Sequence, residues 1–86
     1  MKPQSVRLFV KPGCPWCDEA VEWLDHRGIA YQLLDVIRNA DARAEMHELT
    51  GQTRAPSIEV DGHILADFGA DELEAWWTSL GFEPQV

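Results

Sequence analysis

Apolar positions recur along this chain with more than one period, and the changes of period mark out the elements. Val6-Arg7-Leu8-Phe9-Val10 is a short run rich in Val, Leu and Phe, which predicts a buried strand. Pro12-Gly13 breaks it. Pro15 then suits the first turn of a helix, where its missing N–H costs nothing. Cys17, Ala20, Trp23, Leu24 and Arg27 fall on one side at helical spacing, with Val21 on the flank. A helix is therefore predicted from Cys14 or Pro15 to Arg27, with Gly28 as its C-terminal stop. Residues 30–36 predict a second strand. A strand–helix–strand opening favours a parallel pair joined by a right-handed crossover.

Further along, Asp41 is placed to cap a second helix over about residues 42–49, supported by Glu45 and Glu48. Its apolar stripe is weak, and Thr50-Gly51-Gln52 ends it. Ser57-Ile58-Glu59-Val60 alternates cleanly and predicts a third strand, Asp61-Gly62 a two-residue hairpin turn, and His63-Ile64-Leu65-Ala66 the returning strand. From Gly69 to Leu80, the residues Leu73, Trp76, Trp77 and Leu80 stand at i, i+3, i+4 and i+7. That spacing predicts a last helix whose tryptophan pair belongs to the core, closed by Gly81. The order βαβ-α-ββα describes an α/β fold: a four-stranded mixed sheet with helices on both faces.

Composition narrows the function. Eighty-six residues are expected to form one domain, residues 1–86, with a modest core. A net charge of −8 argues against nucleic acid as a partner and suits solubility or steering toward basic surfaces. No apolar run approaches membrane-spanning length. Met1-Lys2-Pro3-Gln4-Ser5 leads into the first strand without the apolar stretch of a signal peptide, so a cytoplasmic, reducing location is expected.

Against that background the chemistry concentrates in Cys14-Pro15-Trp16-Cys17, the only cysteines of the chain. A zinc site needs four ligands, and there is neither a second cysteine pair nor a closely spaced histidine pair among His26, His47 and His63. A structural disulfide would close a tiny loop and suits a secreted chain. A redox pair fits the strand–helix junction best. Orphan N–H groups and the positive end of the helix dipole favour a thiolate there, and the thiolate is the nucleophile.

Three motifs, in order, resemble those of the glutaredoxins, a branch of the thioredoxin superfamily. Lys11-Pro12-Gly13-Cys14-Pro15-Trp16-Cys17 is similar to K-x-x-C-P-Y-C, with Trp16 in place of tyrosine. Thr50-Gly51-Gln52-Thr53-Arg54-Ala55-Pro56 is similar to T-G-Q-x-T-V-P, which ends in the family's cis-proline. Phe68-Gly69-Ala70-Asp71-Glu72-Leu73 is similar to G-G-x-D-D-L. The resemblance covers nearly all of the chain and implies a thioredoxin-like fold and thiol–disulfide oxidoreductase activity. It makes Cys14 the nucleophile, with Lys11 a positive charge beside it, and Cys17 the resolving thiol.

Glutathione is the cosubstrate the resemblance implies, with no tightly bound cofactor and no metal. Its glycine carboxylate would meet Lys11 and Arg43, and its γ-glutamyl carboxylate the backbone N–H of Ala70 at a helix start. Its ammonium would meet Asp71. Trp16 lies beside the thiols, and a cis Pro56 would leave the Ala55 backbone free to pair with an extended substrate. The implied partners are glutathione and disulfide-containing or glutathionylated proteins, with the chain acting as a monomer. Two departures stand out: Phe68 replaces a glycine, and Arg54-Ala55 replaces T-V. Phe68 is expected to crowd the γ-glutamyl pocket or to set an aromatic face beside the disulfide. Either would favour a redoxin-like electron donor recharged by a flavoprotein reductase. A cluster-bridging glutaredoxin is disfavoured by Pro15 after the first cysteine, and a glutathione-transferase domain would need a helical second domain.

Overall fold

A computed structural model describes residues 3–82. Its elements run β1 (Val6–Val10), α1 (Pro15–His26), β2 (Gln32–Asp35), α2 (Ala40–Thr50), β3 (Ser57–Val60), β4 (His63–Ala66) and α3 (Ala70–Ser79). The strands lie in the order β2-β1-β3-β4. β1 and β2 are parallel, with Leu8 beside Leu33 and Val10 beside Asp35. β1 and β3 are antiparallel, as are β3 and β4. The hairpin turn uses Asp61 at φ 49° and Gly62 at φ 89°, the two positive values that match the twist of a two-residue connection. The fold is thioredoxin-like: a four-stranded mixed sheet between helices.

Strand alternation divides the core into two unequal layers. Val6, Leu8 and Val10 of β1 and Ile58 and Val60 of β3 pack with Cys17, Ala20 and Leu24 of α1 and with Leu73 and Trp77 of α3. Trp77 meets Trp23 edge-on, with ring centroids 5.5 Å apart, and Phe82 at 5.2 Å. This is the core position that the helical spacing predicts for Trp77, whereas Trp76, also expected in the core, is only partly buried and packs at its margin. On the other face the buried layer consists of Phe9, Val36, Ala42 and Met46, with Leu34 and Leu49 at its margin. Arg7 closes that layer. Its guanidinium donates to Glu45 of α2 at 2.8 Å and to Glu59 of β3 at 2.9 Å, and it stands 5.4 Å from the Phe9 ring. Paired in this way, Glu45 holds its carboxyl below the usual carboxylate range.

Two boundaries differ from expectation. The second strand is shorter than residues 30–36, because the Asp35 carboxylate accepts from the N–H groups of Ile37 and Arg38 and turns the chain. The cap of α2 is Asn39, not Asp41: Asn39 has extended backbone and its side-chain oxygen accepts from the Ala42 N–H at 3.1 Å. Asp41 falls inside the first turn, where its charge still suits the dipole. Among the described residues, no helix is long and apolar enough to cross a membrane.

Candidate active site

The site begins where β1 ends. Gly13, at φ 68°, makes the reversal that a side chain would resist. Cys14 follows in extended conformation and caps α1, its Sγ accepting the Cys17 N–H at 3.2 Å. The Cys14 carbonyl accepts the Asp18 N–H at 3.1 Å, and Pro15 occupies the first turn without removing a needed donor. A sulfur thus takes the place that a serine or aspartate oxygen fills in most N-caps.

The two thiols are free and unlike. Cys14 is half-buried, whereas Cys17 points into the core and is 2% exposed. Burial above all, and then the hydrogen bond with Cys14, push the Cys17 thiol up to about 12, against a smaller opposing pull from the Lys11 backbone. Cys17 therefore keeps its proton at neutral pH, and Cys14 is the sulfur a disulfide can reach. The arrangement suits a reaction in which the outer sulfur attacks and the inner one follows.

The second motif folds beside the first. The Ala55–Pro56 peptide is cis, as the motif implies, and Ala55 packs against the same core layer as Cys14. The loop before it is firmly tied. The Gln52 side chain bonds both the N–H and the carbonyl of Arg54, and the buried Ser57 hydroxyl donates to the same carbonyl at 3.1 Å. The third motif is fastened to this loop by the Asp67 N–H, which donates to the Pro56 carbonyl at 2.9 Å. Gly69 then caps α3, with Glu72 reaching back to its N–H at 3.1 Å. The N–H groups of Ala70 and Asp71 open the helix, and the Asp71 side chain is exposed.

Phe68 does not stand in the pocket. It is fully buried in the core layer that also contains Cys17 and Leu73. The expected crowding of the γ-glutamyl site is thus corrected: the aromatic ring fills space beneath the sheet, and the left-handed Asp67 before it (φ 55°) makes the turn into α3.

A cleft of about 270 Å³ runs along the start of α1 and is lined by Lys11, Pro12, Cys17, Val21, Leu33 and Arg38, among others. The cation that shares it with Lys11 is Arg38, in the turn after β2 and loosely paired with Asp35 at 3.7 Å. Arg43 lies exposed on α2 and is not part of the cleft wall. The sequence does not single out Arg38, although the parallel pairing of β1 and β2 brings the turn that carries it to the same cleft as Lys11. Trp16 is about half exposed (51%) on the first turn of α1. A wider open groove between α1 and α3 includes Ala70 and the acidic residues Glu19, Glu22 and Asp25, but no cysteine. Among the described residues, no three His, Cys, Asp or Glu side chains converge to hold a metal ion.

Comparison with known proteins agrees with this fold. The family model described as Glutaredoxin matches residues 6–65. Glutaredoxin 3 of Escherichia coli K12 is 32% identical over 80 residues, covering 93% of this chain and 94% of its own. Among solved structures, the thioredoxin-like protein BC3987 superposes with a TM-score of 0.76 at 28% identity, over 83% of this chain and 97% of the other. The NrdH-redoxin of Escherichia coli shares the fold, with a TM-score of 0.70 at 18% identity over 84% and 93% of the two chains.

Proposed function

The chain belongs to the glutaredoxin family, whose members are thiol–disulfide oxidoreductases, and from that premise we propose that it is a glutathione-dependent reductant of protein disulfides and glutathione mixed disulfides. One observation carries the catalytic part: a reachable sulfur caps the helix while its partner sits buried and protonated one turn on. Cys14 as thiolate attacks one sulfur of the substrate disulfide, forms a mixed disulfide with it and expels the other sulfur as a thiolate. Cys17 gives up its proton and attacks the Cys14 sulfur, closing the Cys14–Cys17 disulfide and releasing the second substrate thiol. The substrate gains two electrons and the dithiol loses them. Two glutathione molecules return the dithiol and leave as glutathione disulfide.

Glutathione would lie across Cys14, its backbone against Ala55 and Pro56 and its γ-glutamyl carboxylate at the N–H groups of Ala70 and Asp71. Its glycine carboxylate would approach Lys11, with Arg38, which lines the same cleft, as the second cation and Arg43 outside that cleft. Trp16 would cover the outer side of the thiols. The Asp71 carboxylate would face the ammonium.

A second reading is a redoxin recharged by a flavoprotein thioredoxin reductase. A thioredoxin-like protein and a glutaredoxin share this fold at the same 28% identity, so the likeness supports both readings. A coupled assay separates the two. The oxidised protein is offered NADPH with either glutathione and glutathione reductase, or thioredoxin reductase. Turnover in the first system supports the glutathione reading. Turnover only in the second replaces it with the redoxin.

A further inference from the structure

The loop that would receive the substrate backbone carries a cation that the family motif lacks. Arg54 stands where T-V-P has threonine, next to Ala55 and two residues before Pro56. Its backbone is immobilised by Gln52 and Ser57. Its side chain is not: it is 78% exposed, and its ion pair is a 3.5 Å contact with Asp67, itself 39% exposed. Such a pair is weak and exchangeable, because both ends are hydrated. Asp67 belongs to the other wall of the site, where its N–H holds the Pro56 carbonyl.

The local charge gives this cation a task. Asp67, Asp71 and Glu72 gather at the start of α3, in a chain of net charge −8. An incoming carboxylate meets repulsion there that the helix N–H groups offset only in part. Arg7 and Arg27 are engaged by Glu45, Glu59 and Glu74. Arg54 is a cation on the cis-proline loop itself, held by a contact that a substrate carboxylate can replace.

We propose that Arg54 is a specificity-determining residue that selects disulfides bearing a carboxylate close to the reacting sulfur, and that Asp67 is its resting counter-ion. The carboxylate comes either from glutathione or from an acidic residue flanking a cysteine in a polypeptide. This rests on the disulfide-exchange step above and not on glutathione being the reductant.

Single-turnover kinetics of the reduced protein test it. The substrates are 2-thiopyridyl mixed disulfides of glutathione, of glutathione diethyl ester, and of two blocked tetrapeptides with glutamate or glutamine before the cysteine, so that the leaving group itself carries no carboxylate. Cys14 bonds to the thiol ligand's sulfur and expels 2-thiopyridine, read by its ultraviolet absorbance, after which Cys17 releases the ligand. The quantity read is the ratio of rate constants, acid over neutral, within each substrate pair. Arg54→Gln should lower that ratio about threefold to tenfold, and Arg54→Lys should restore part of it. Asp67→Asn keeps a residue that tolerates the left-handed backbone and should raise the ratio by freeing the guanidinium. All three shifts should shrink with added salt. A fall confined to the glutathione pair assigns the selected carboxylate to glutathione, and one confined to the peptide pair assigns it to polypeptides. A ratio unmoved by Arg54→Gln in both pairs overturns the proposal. So does a fall with Asp67→Asn, which would make the ion pair a strut between loops. If the wild type draws no electrons from glutathione in the coupled assay, the reductant assignment fails while these ratios remain readable.

Discussion

The Cys17 amide donates to the Cys14 sulfur across 3.2 Å, so the resolving residue supports the attacking one before any bond passes between them. Helix capping and disulfide exchange share one geometry here. The backbone that satisfies the helix start also holds the two side chains one turn apart.

That geometry assigns the roles. Cys14→Ser should abolish exchange with every substrate. Cys17→Ser should still turn over glutathione mixed disulfides, which need one thiol, and should lose reduction of protein disulfides that need two. Assays of both variants on a glutathionylated peptide and on a protein disulfide check this. Activity in Cys14→Ser with a dead Cys17→Ser would reverse the roles.

The buried Cys17 proton has a pH signature. Its folded value, about 12, lies above the ordinary thiol value of 9.0. Between those values the folded chain holds a proton that the unfolded chain releases. Stability from this group is therefore complete below about pH 9 and falls as pH rises through the window. The melting temperature of the reduced protein should drop on going from pH 8.5 to 11 more steeply than that of Cys17→Ala, as followed by circular dichroism. Parallel curves would remove the argument for a protonated resolving thiol.

Glutathione recognition should depend on the cations of the cleft. Lys11→Gln and Arg38→Ala should each raise KM for glutathione about twofold to fivefold, as befits charge contacts at a wet site. Arg43→Ala should do less, because Arg43 lies outside the cleft wall. The wild-type KM should rise with ionic strength, and the double variant Lys11→Gln/Arg38→Ala should show a flatter dependence. Steady-state kinetics at several salt concentrations decide it. An effect of Arg43→Ala larger than that of Arg38→Ala would return the second cation to α2.

Phe68 should behave as a core residue. Phe68→Ala should destabilise the fold by about 3–5 kcal/mol, the cost of an emptied aromatic site. Phe68→Leu should cost less, because part of the volume is kept. Urea unfolding of both variants measures this. A stable Phe68→Ala variant with improved glutathione turnover would put the ring back in the pocket.

Most of the architecture could be read along the chain because most elements declare their period, α2 with its weak apolar stripe being the exception. The apolar run of β1, the i, i+3, i+4 stripe of α3 and the Asp61-Gly62 turn all fold as their local chemistry dictates. The failures arise where sequence neighbours are chemically equivalent or where spatial neighbours are distant. Asn39 and Asp41 both make good caps, and only the extended backbone at residue 39 decides between them. Arg38 sits in a turn without periodicity, and β1–β2 pairing brings it to Lys11. Phe68 aligns with a glycine of the pocket, yet its side chain is buried after the left-handed residue that precedes it.

The unequal layers bear on how the molecule breathes. The face beneath α2 is sealed by few apolar residues and by the ion pairs of Arg7, so α2 should detach transiently without global unfolding. Its amides should exchange with deuterium sooner than those of β1 and α1. Both sulfurs belong to the thicker layer, where Cys17 is buried and Cys14 packs against it. Such an opening would leave both sulfurs packed on the other side of the sheet but would reach the substrate loop, because the Thr50 hydroxyl at the end of α2 bonds both the N–H and the carbonyl of Gln52.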